Sequence, residues 1–247
     1  MSRFQGRNVV ITGGSGGIGK ATAARVVSEG GKVLITGTNQ EKLDQAAREI
    51  DGVIPFVNDA GDPESALALA EAVETHLGQV DGLFLNAGYG ELVSHDQVTV
   101  AQFDRQYAVN VRGPILQVRA LAGLLRDGGS IVLNTSVVQS VGMQGGILYG
   151  SSKSALRNVT RVLAAELAPR IRVNAVSPGP VSTDFFARTG LPEEQTAQLA
   201  EGILAQVALK RFGEASEIAS AAAFLLSDDA SFVTGSELVV DGGITQV

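Results

Sequence analysis

Seven short runs of β-branched and aliphatic residues punctuate this chain of 247 residues, and a longer amphipathic segment follows nearly every one. The runs are 8–12 (NVVIT), 32–36, 53–57, 82–86, 130–134, 172–176 and 237–240. Helical patterns fall near 17–29, 40–50, 63–77, 99–125, 151–168 and 214–226. This alternation predicts βαβ units, which need a parallel sheet covered by helices on both faces. The runs are apolar at consecutive positions, as strands buried on both sides require. No linker, repeat or low-complexity stretch interrupts the pattern. The expectation is one α/β domain, a doubly wound parallel sheet in three α-β-α layers. One segment breaks the rhythm. After the turn Ser177-Pro178-Gly179-Pro180 comes a weakly patterned stretch, read either as a lid near 182–213 or as a surface helix pair.

Composition removes whole classes of function. With 19 basic against 26 acidic residues the net charge is −7, which argues against nucleic acid as a partner. There is no cysteine, so disulfides, iron–sulfur clusters, thiolate zinc sites and thiol nucleophiles are excluded together. His76 and His95 are the two histidines; both read as surface residues, and no metal is expected. The opening MSRFQGRNVV has no apolar core of a signal peptide, and no apolar run is long enough to span a membrane. A cytoplasmic, membrane-free location is the expectation.

The first strand runs into Thr12-Gly13-Gly14-Ser15-Gly16-Gly17-Ile18-Gly19, and a helix pattern follows. Glycines let backbone approach a ligand closely, and a helix N-terminus there aims free N–H groups at a phosphate. Strand, glycines and helix in this order suit a dinucleotide pyrophosphate, the hallmark of a Rossmann fold. Gly13–Gly17 also spells G-x-S-x-G, the nucleophile elbow of α/β hydrolases. That chemistry needs a histidine downstream, and none follows His95. The second strand ends Gly37-Thr38-Asn39 with no carboxylate to hold ribose hydroxyls or repel a 2′-phosphate. Thr38, Asn39 and Ser15 offer donors, so the balance leans to NADP over NAD. Asp59 and Ala60, after the third strand, face the adenine in one reading; in the other Asp59 caps the turn before Asp62-Pro63.

Ser136 follows the fifth strand, and thirteen residues later Tyr149-Gly150-Ser151-Ser152-Lys153 opens a helix. Tyr149 and Lys153 stand four apart, on one helix face. An ammonium near a phenol favours the phenolate and lowers its pKa, making the tyrosine an acid–base group for a carbonyl or an alcohol. Taken alone, Y-x-x-x-K equally describes an ordinary amphipathic helix.

Together these pieces resemble the classical short-chain dehydrogenase/reductase family along nearly the whole chain. The family's T-G-x-x-x-G-x-G matches Thr12 to Gly19, and its N-A-G matches Asn86-Ala87-Gly88. Its catalytic asparagine, serine, tyrosine and lysine match Asn110, Ser136, Tyr149 and Lys153. Its P-G turn matches Pro178-Gly179, with Val181 and Thr183 where the family contacts the cofactor's carboxamide and phosphate. The resemblance implies Tyr149 as general acid and base and Lys153 on the nicotinamide ribose. It also implies Ser136 on the substrate oxygen and Asn110 on a water that links Lys153 to solvent. It departs at Leu85, usually asparagine, and at Gly16 and Thr38, where NADP-dependent members often carry a cation.

Val137, Val138, Val141, Met143, Leu148, Val181, Phe185 and Phe186, with Tyr89 nearby, read as an apolar pocket wall, although Val138 and Leu148 read more readily as core. The expected substrate is a small hydrophobic ketone or secondary alcohol, and the ending Asp241–Val247 resembles bacterial secondary-alcohol dehydrogenases. A 3-oxoacyl-carrier-protein reductase is a second reading, disfavoured because acidic carrier proteins need basic docking surfaces. A sugar or polyol dehydrogenase is a third, and a non-catalytic dinucleotide sensor a fourth. The resemblance also implies a homotetramer packed through helices near 101–123 and 151–168.

Overall fold

The computed structural model describes residues 2–183 and 193–247. Among them are the strands β1 (Asn8–Ile11), β2 (Lys32–Gly37), β3 (Ile54–Val57), β4 (Val80–Leu85), β5 (Leu125–Asn134), β6 (Arg172–Pro178) and β7 (Glu237–Val240). They form one wholly parallel sheet in the order β3-β2-β1-β4-β5-β6-β7. The helices are α1 (Gly17–Ser28), α2 (Gln40–Glu49), α3 (Ser65–Leu77), α4 (Val100–Tyr107), α5 (Gly113–Leu121), α6 (Ile147–Leu167), α7 (Glu193–Gln206) and α8 (Ala215–Leu226).

Successive side chains of a strand point to opposite faces. In β1, Val9 and Ile11 join a core with Val26 of α1, Leu43 of α2 and Ile218 of α8. Val10 joins the opposite core with Leu69 of α3, Leu121 of α5 and Leu156 of α6. Both faces are therefore apolar, as the unbroken apolar runs predict. The order reverses beside β1, whose neighbours are β2 and β4. That opens a crevice beyond the carboxyl ends of the strands, where ligands of such sheets bind.

The structure departs from the sequence reading in three places. The helix expected over 99–125 is split: α4 ends at Tyr107, a π turn spans Ala108–Arg112, and α5 begins at Gly113. Close packing explains the glycine, since a Cβ on Gly113 would lie 2.2 Å from the Ala60 carbonyl oxygen. The wide turn directs Asn110 inward, 1% exposed. Second, β5 already begins at Leu125 and bulges against β4 between Val80 and Gly82. Third, α6 begins at Ile147 and takes Tyr149 into its first turn.

The expected lid holds α7. Its feet are pinned together: Ser182 N–H donates to Gly213 O (2.9 Å) and Gly213 N–H to Pro180 O (3.0 Å). Phe185 and Phe186 lie outside the described residues. No helix among those described is long and apolar enough to cross a membrane.

Candidate active site

The glycine turn is shaped by contacts that a larger residue would not survive. A Cβ on Gly19 would lie 2.3 Å from the Gly13 carbonyl oxygen and 2.6 Å from Asn86 Nδ2. Gly13 itself has φ +66. Thr12 Oγ1 accepts from the N–H groups of Asn86 and Ala87, each at 3.0 Å. Asn86 Nδ2 donates to Thr12 O (3.0 Å) and Gly13 O (3.2 Å), and Asn86 Oδ1 accepts from Asn134 Nδ2 (2.9 Å). The carboxyl ends of β1, β4 and β5 are thus tied together beneath the turn.

A groove of about 1130 Å³ runs along this edge. Gly13, Ser15, Gly17 and Ile18 line it at the first turn, Gly37 and Thr38 at the end of β2, and Asp59, Ala60, Ala87 and Gly88 on the far side. Asp59 also serves as the cap that the second reading foresaw, its Oδ1 accepting from Gly61 N–H at 2.8 Å. Asn39, expected beside a phosphate, is the N-cap of α2 through its Oδ1, which accepts from Lys42 N–H at 2.9 Å. Lys42 reaches the groove wall, as does Arg105. Neither cation was foreseen, because their positions depend on where α2 and α4 turn relative to the sheet edge. Tyr89 lines this groove rather than the substrate pocket; its hydroxyl donates to Glu91 Oε2 (2.8 Å) and its ring lies 4.4 Å beneath the Arg105 guanidinium. A pyrophosphate fits this cradle, since only Cβ-free backbone can pack this closely under it.

The groove opens into a pocket of about 460 Å³. Ile18, Asn86, Gly88 and Thr183 belong to both. Ser136, Tyr149 and Lys153 converge on the pocket, with Pro178, Gly179 and Val181 along one wall. Val137, Val141 and Met143 face it as expected, Val138 faces it despite its core-like reading, and Leu148 is core, 3% exposed. Leu92, Leu199 and Ile203 complete the apolar wall, and Gln144, Gln206 and Thr245 add polar groups. The α7 and C-terminal members went unrecognised because no local motif marks them.

Ser136 caps a one-turn 3₁₀ helix at Val137–Ser140 and hydrogen-bonds Tyr149. Burial pushes the Tyr149 phenol up to about 12, and the Ser136 bond offsets part of that rise. Burial likewise brings the Lys153 ammonium down to about 8. The expected lowering of Tyr149 by Lys153 is therefore absent in this form. Lys153 Nζ sits 5.7 Å from the ring centroid and donates to Asn134 O at 2.7 Å, so loss of solvent outweighs the charge. At neutral pH the tyrosine keeps its proton and the lysine its charge. Asn110 Nδ2 donates to Tyr89 O (2.8 Å) and Ser152 Oγ (3.0 Å), and its Oδ1 accepts from Tyr89 N–H (2.8 Å). Both Asn110 Oδ1 and Lys153 Nζ come within 4 Å of the space beside Gly88.

Residues 13–245 match the family model described as enoyl-(acyl carrier protein) reductase. Levodione reductase of Leifsonia aquatica is 35% identical over 98% of this chain and 95% of its own length. The chain belongs to the short-chain dehydrogenase/reductase family. Its relatives include a glucose/ribitol dehydrogenase structure from Brucella melitensis, with a TM-score of 0.93 and 32% identity over 99% of both chains. A short-chain dehydrogenase from Burkholderia cenocepacia, solved in complex with NADP, superposes with a TM-score of 0.89 and 33% identity over 98% of this chain and 99% of that one. As a short-chain dehydrogenase/reductase, the protein is an oxidoreductase that interconverts alcohols and carbonyls using a nicotinamide dinucleotide.

Proposed function

We propose that the protein interconverts a small to medium apolar ketone and its secondary alcohol using NADP(H). One observation carries this reading: Ser136 and Tyr149, hydrogen-bonded to each other, open into a mainly apolar pocket continuous with the dinucleotide groove. Among the described residues the pocket wall offers no charged anchor besides Lys153, which suits a neutral substrate. The NADP preference is supported where β2 ends. Ser15, Gly37, Thr38, Lys42 and Gln45 form that wall, which bears donors and a cation but no carboxylate.

The bound nicotinamide supplies the hydride in reduction and takes it in oxidation. Tyr149 gives its proton to the carbonyl oxygen, to which Ser136 Oγ also donates. A tyrosine protonated at neutral pH is ready for that step. The Lys153 ammonium stabilises the phenolate left behind and holds the nicotinamide ribose. Asn110 completes a water path from Lys153 past Gly88 to solvent. The helix α7 covers the substrate, with Leu199 and Ile203 facing the pocket. Exposed apolar side chains on α4, α5 and α6, namely Phe103, Ile115 and Val162, support assembly as a homotetramer through those helices.

The test is a parallel fluorescence titration with NADPH and NADH, followed by a panel of apolar ketones. The expected result is tighter binding of NADPH and its oxidation by at least one ketone. Preference for NADH would overturn the cofactor assignment, and a panel that leaves NADPH unconsumed would overturn the substrate class.

A further inference from the structure

The carboxylate of Glu237 on β7 lies where two parts of the catalytic apparatus meet. Its Oε2 accepts from Arg157 Nε at 2.5 Å. Arg157 is on α6, one turn beyond Lys153 and two beyond Tyr149. Its Oε1 lies 3.0 Å from the hydroxyl of Thr135, the residue before Ser136. The same oxygen accepts from Gln139 Nε2, inside the 3₁₀ turn that Ser136 caps. The Glu237 side chain is only 10% exposed.

The sheet does not need this carboxylate. β7 is already registered on β6 from Ala175↔Glu237 to Pro178↔Val240. A sheltered ion pair is poor evidence of stabilisation, since desolvation offsets much of its attraction. Beside the Lys153–Asn134 and Ser154–Gln139 contacts, Glu237 joins, through one carboxylate, the segment that carries Ser136 to the helix that carries Tyr149 and Lys153. We propose that Glu237 is a positioning residue for the reaction, fixing Ser136 Oγ against the Tyr149 hydroxyl where the substrate oxygen binds.

The test is Glu237→Gln in the wild-type and Ser136→Ala backgrounds, assayed with NADPH and an apolar ketone. The single substitution is expected to lower kcat about tenfold and to leave the KM for NADPH within about twofold, because the groove is untouched. In the Ser136→Ala background it is expected to cost nothing further, because the geometry it sets is that of the missing hydroxyl. Glu237→Asp, which keeps the charge, should recover part of the rate. Should Glu237→Gln fold poorly, Gln139→Leu removes one of the two contacts between Glu237 and the Ser136 segment and should give a smaller loss of kcat that is likewise absent in the Ser136→Ala background. An unchanged kcat, or losses that multiply in the double variant, would overturn the proposal. The inference rests on Ser136 holding the substrate oxygen. Were that assignment wrong, Ser136→Ala alone would leave kcat unchanged, a result distinct from a normal Glu237→Gln beside a slowed Ser136→Ala.

Discussion

The same small change, glycine to alanine, should have opposite consequences at two positions three residues apart in the phosphate turn. Gly16 is the N-cap of α1 with extended backbone (φ −167), and a Cβ there would meet nothing within 4 Å. Alanine at that cap should cost about 0.5–1 kcal/mol of stability and leave the turn's shape, and so NADPH binding, unchanged. At Gly19 the new Cβ would lie 2.3 Å from the Gly13 carbonyl oxygen, where ordinary contact begins at 3.4 Å. The backbone must therefore yield by about 1 Å, an overpacking cost of roughly 1–3 kcal/mol. In a chain of this size that corresponds to a fall in Tm of roughly 2–12 °C. The displaced group belongs to Gly13, which lines the groove, so NADPH affinity should fall at least about tenfold, or 1.4 kcal/mol. Thermal melts with and without NADPH, together with fluorescence titration, read both effects. A Gly19→Ala protein that binds NADPH like wild type, or a Gly16→Ala protein equally impaired, would refute the cradle argument.

Two further substitutions test the electrostatics. Lys42→Met should weaken NADPH binding about 5- to 30-fold, the worth of a charge-assisted contact, and leave NADH within about twofold; added salt should shrink the difference. Lys153→Met should abolish turnover while leaving the protein at least as stable at pH 7. The folded-state value near 8 lies below the unfolded 10.5, so burial of the charged amine destabilises the fold below about pH 8. Wild type should recover relative to the variant as pH rises from about 8 towards 10, by on the order of 1–3 kcal/mol, and denaturant melts at pH 7 and 10 measure it.

Strands and motifs were legible because each rests on a local rule. Consecutive apolar residues such as Val9-Val10-Ile11 have only one burial consistent with them, and Gly13, Tyr149 and Lys153 sit at fixed offsets from an element's end. What escaped depends on how elements meet. The π turn at Ala108–Arg112 exists because α5 crosses the Ala60 carbonyl at Gly113, a contact 53 positions away. The Asn39 side chain suits both a phosphate contact and a cap, and only the start of α2 shows that its Oδ1 serves as the cap. The direction of the Tyr149 shift was missed for a similar reason. Spacing on a helix gives proximity to Lys153, but burial and the Asn134 carbonyl decide the balance.

The most direct test of the central claim compares turnover by wild type and Tyr149→Phe at saturating NADPH with a ketone that the wild type reduces. The exchange removes one hydroxyl and keeps the ring. NADPH affinity should therefore hold within about twofold, while kcat falls by about 10²–10⁴, the usual worth of a positioned acid. A variant that binds NADPH normally and still reduces the ketone within a few-fold of wild type would show that Tyr149 is not the proton donor.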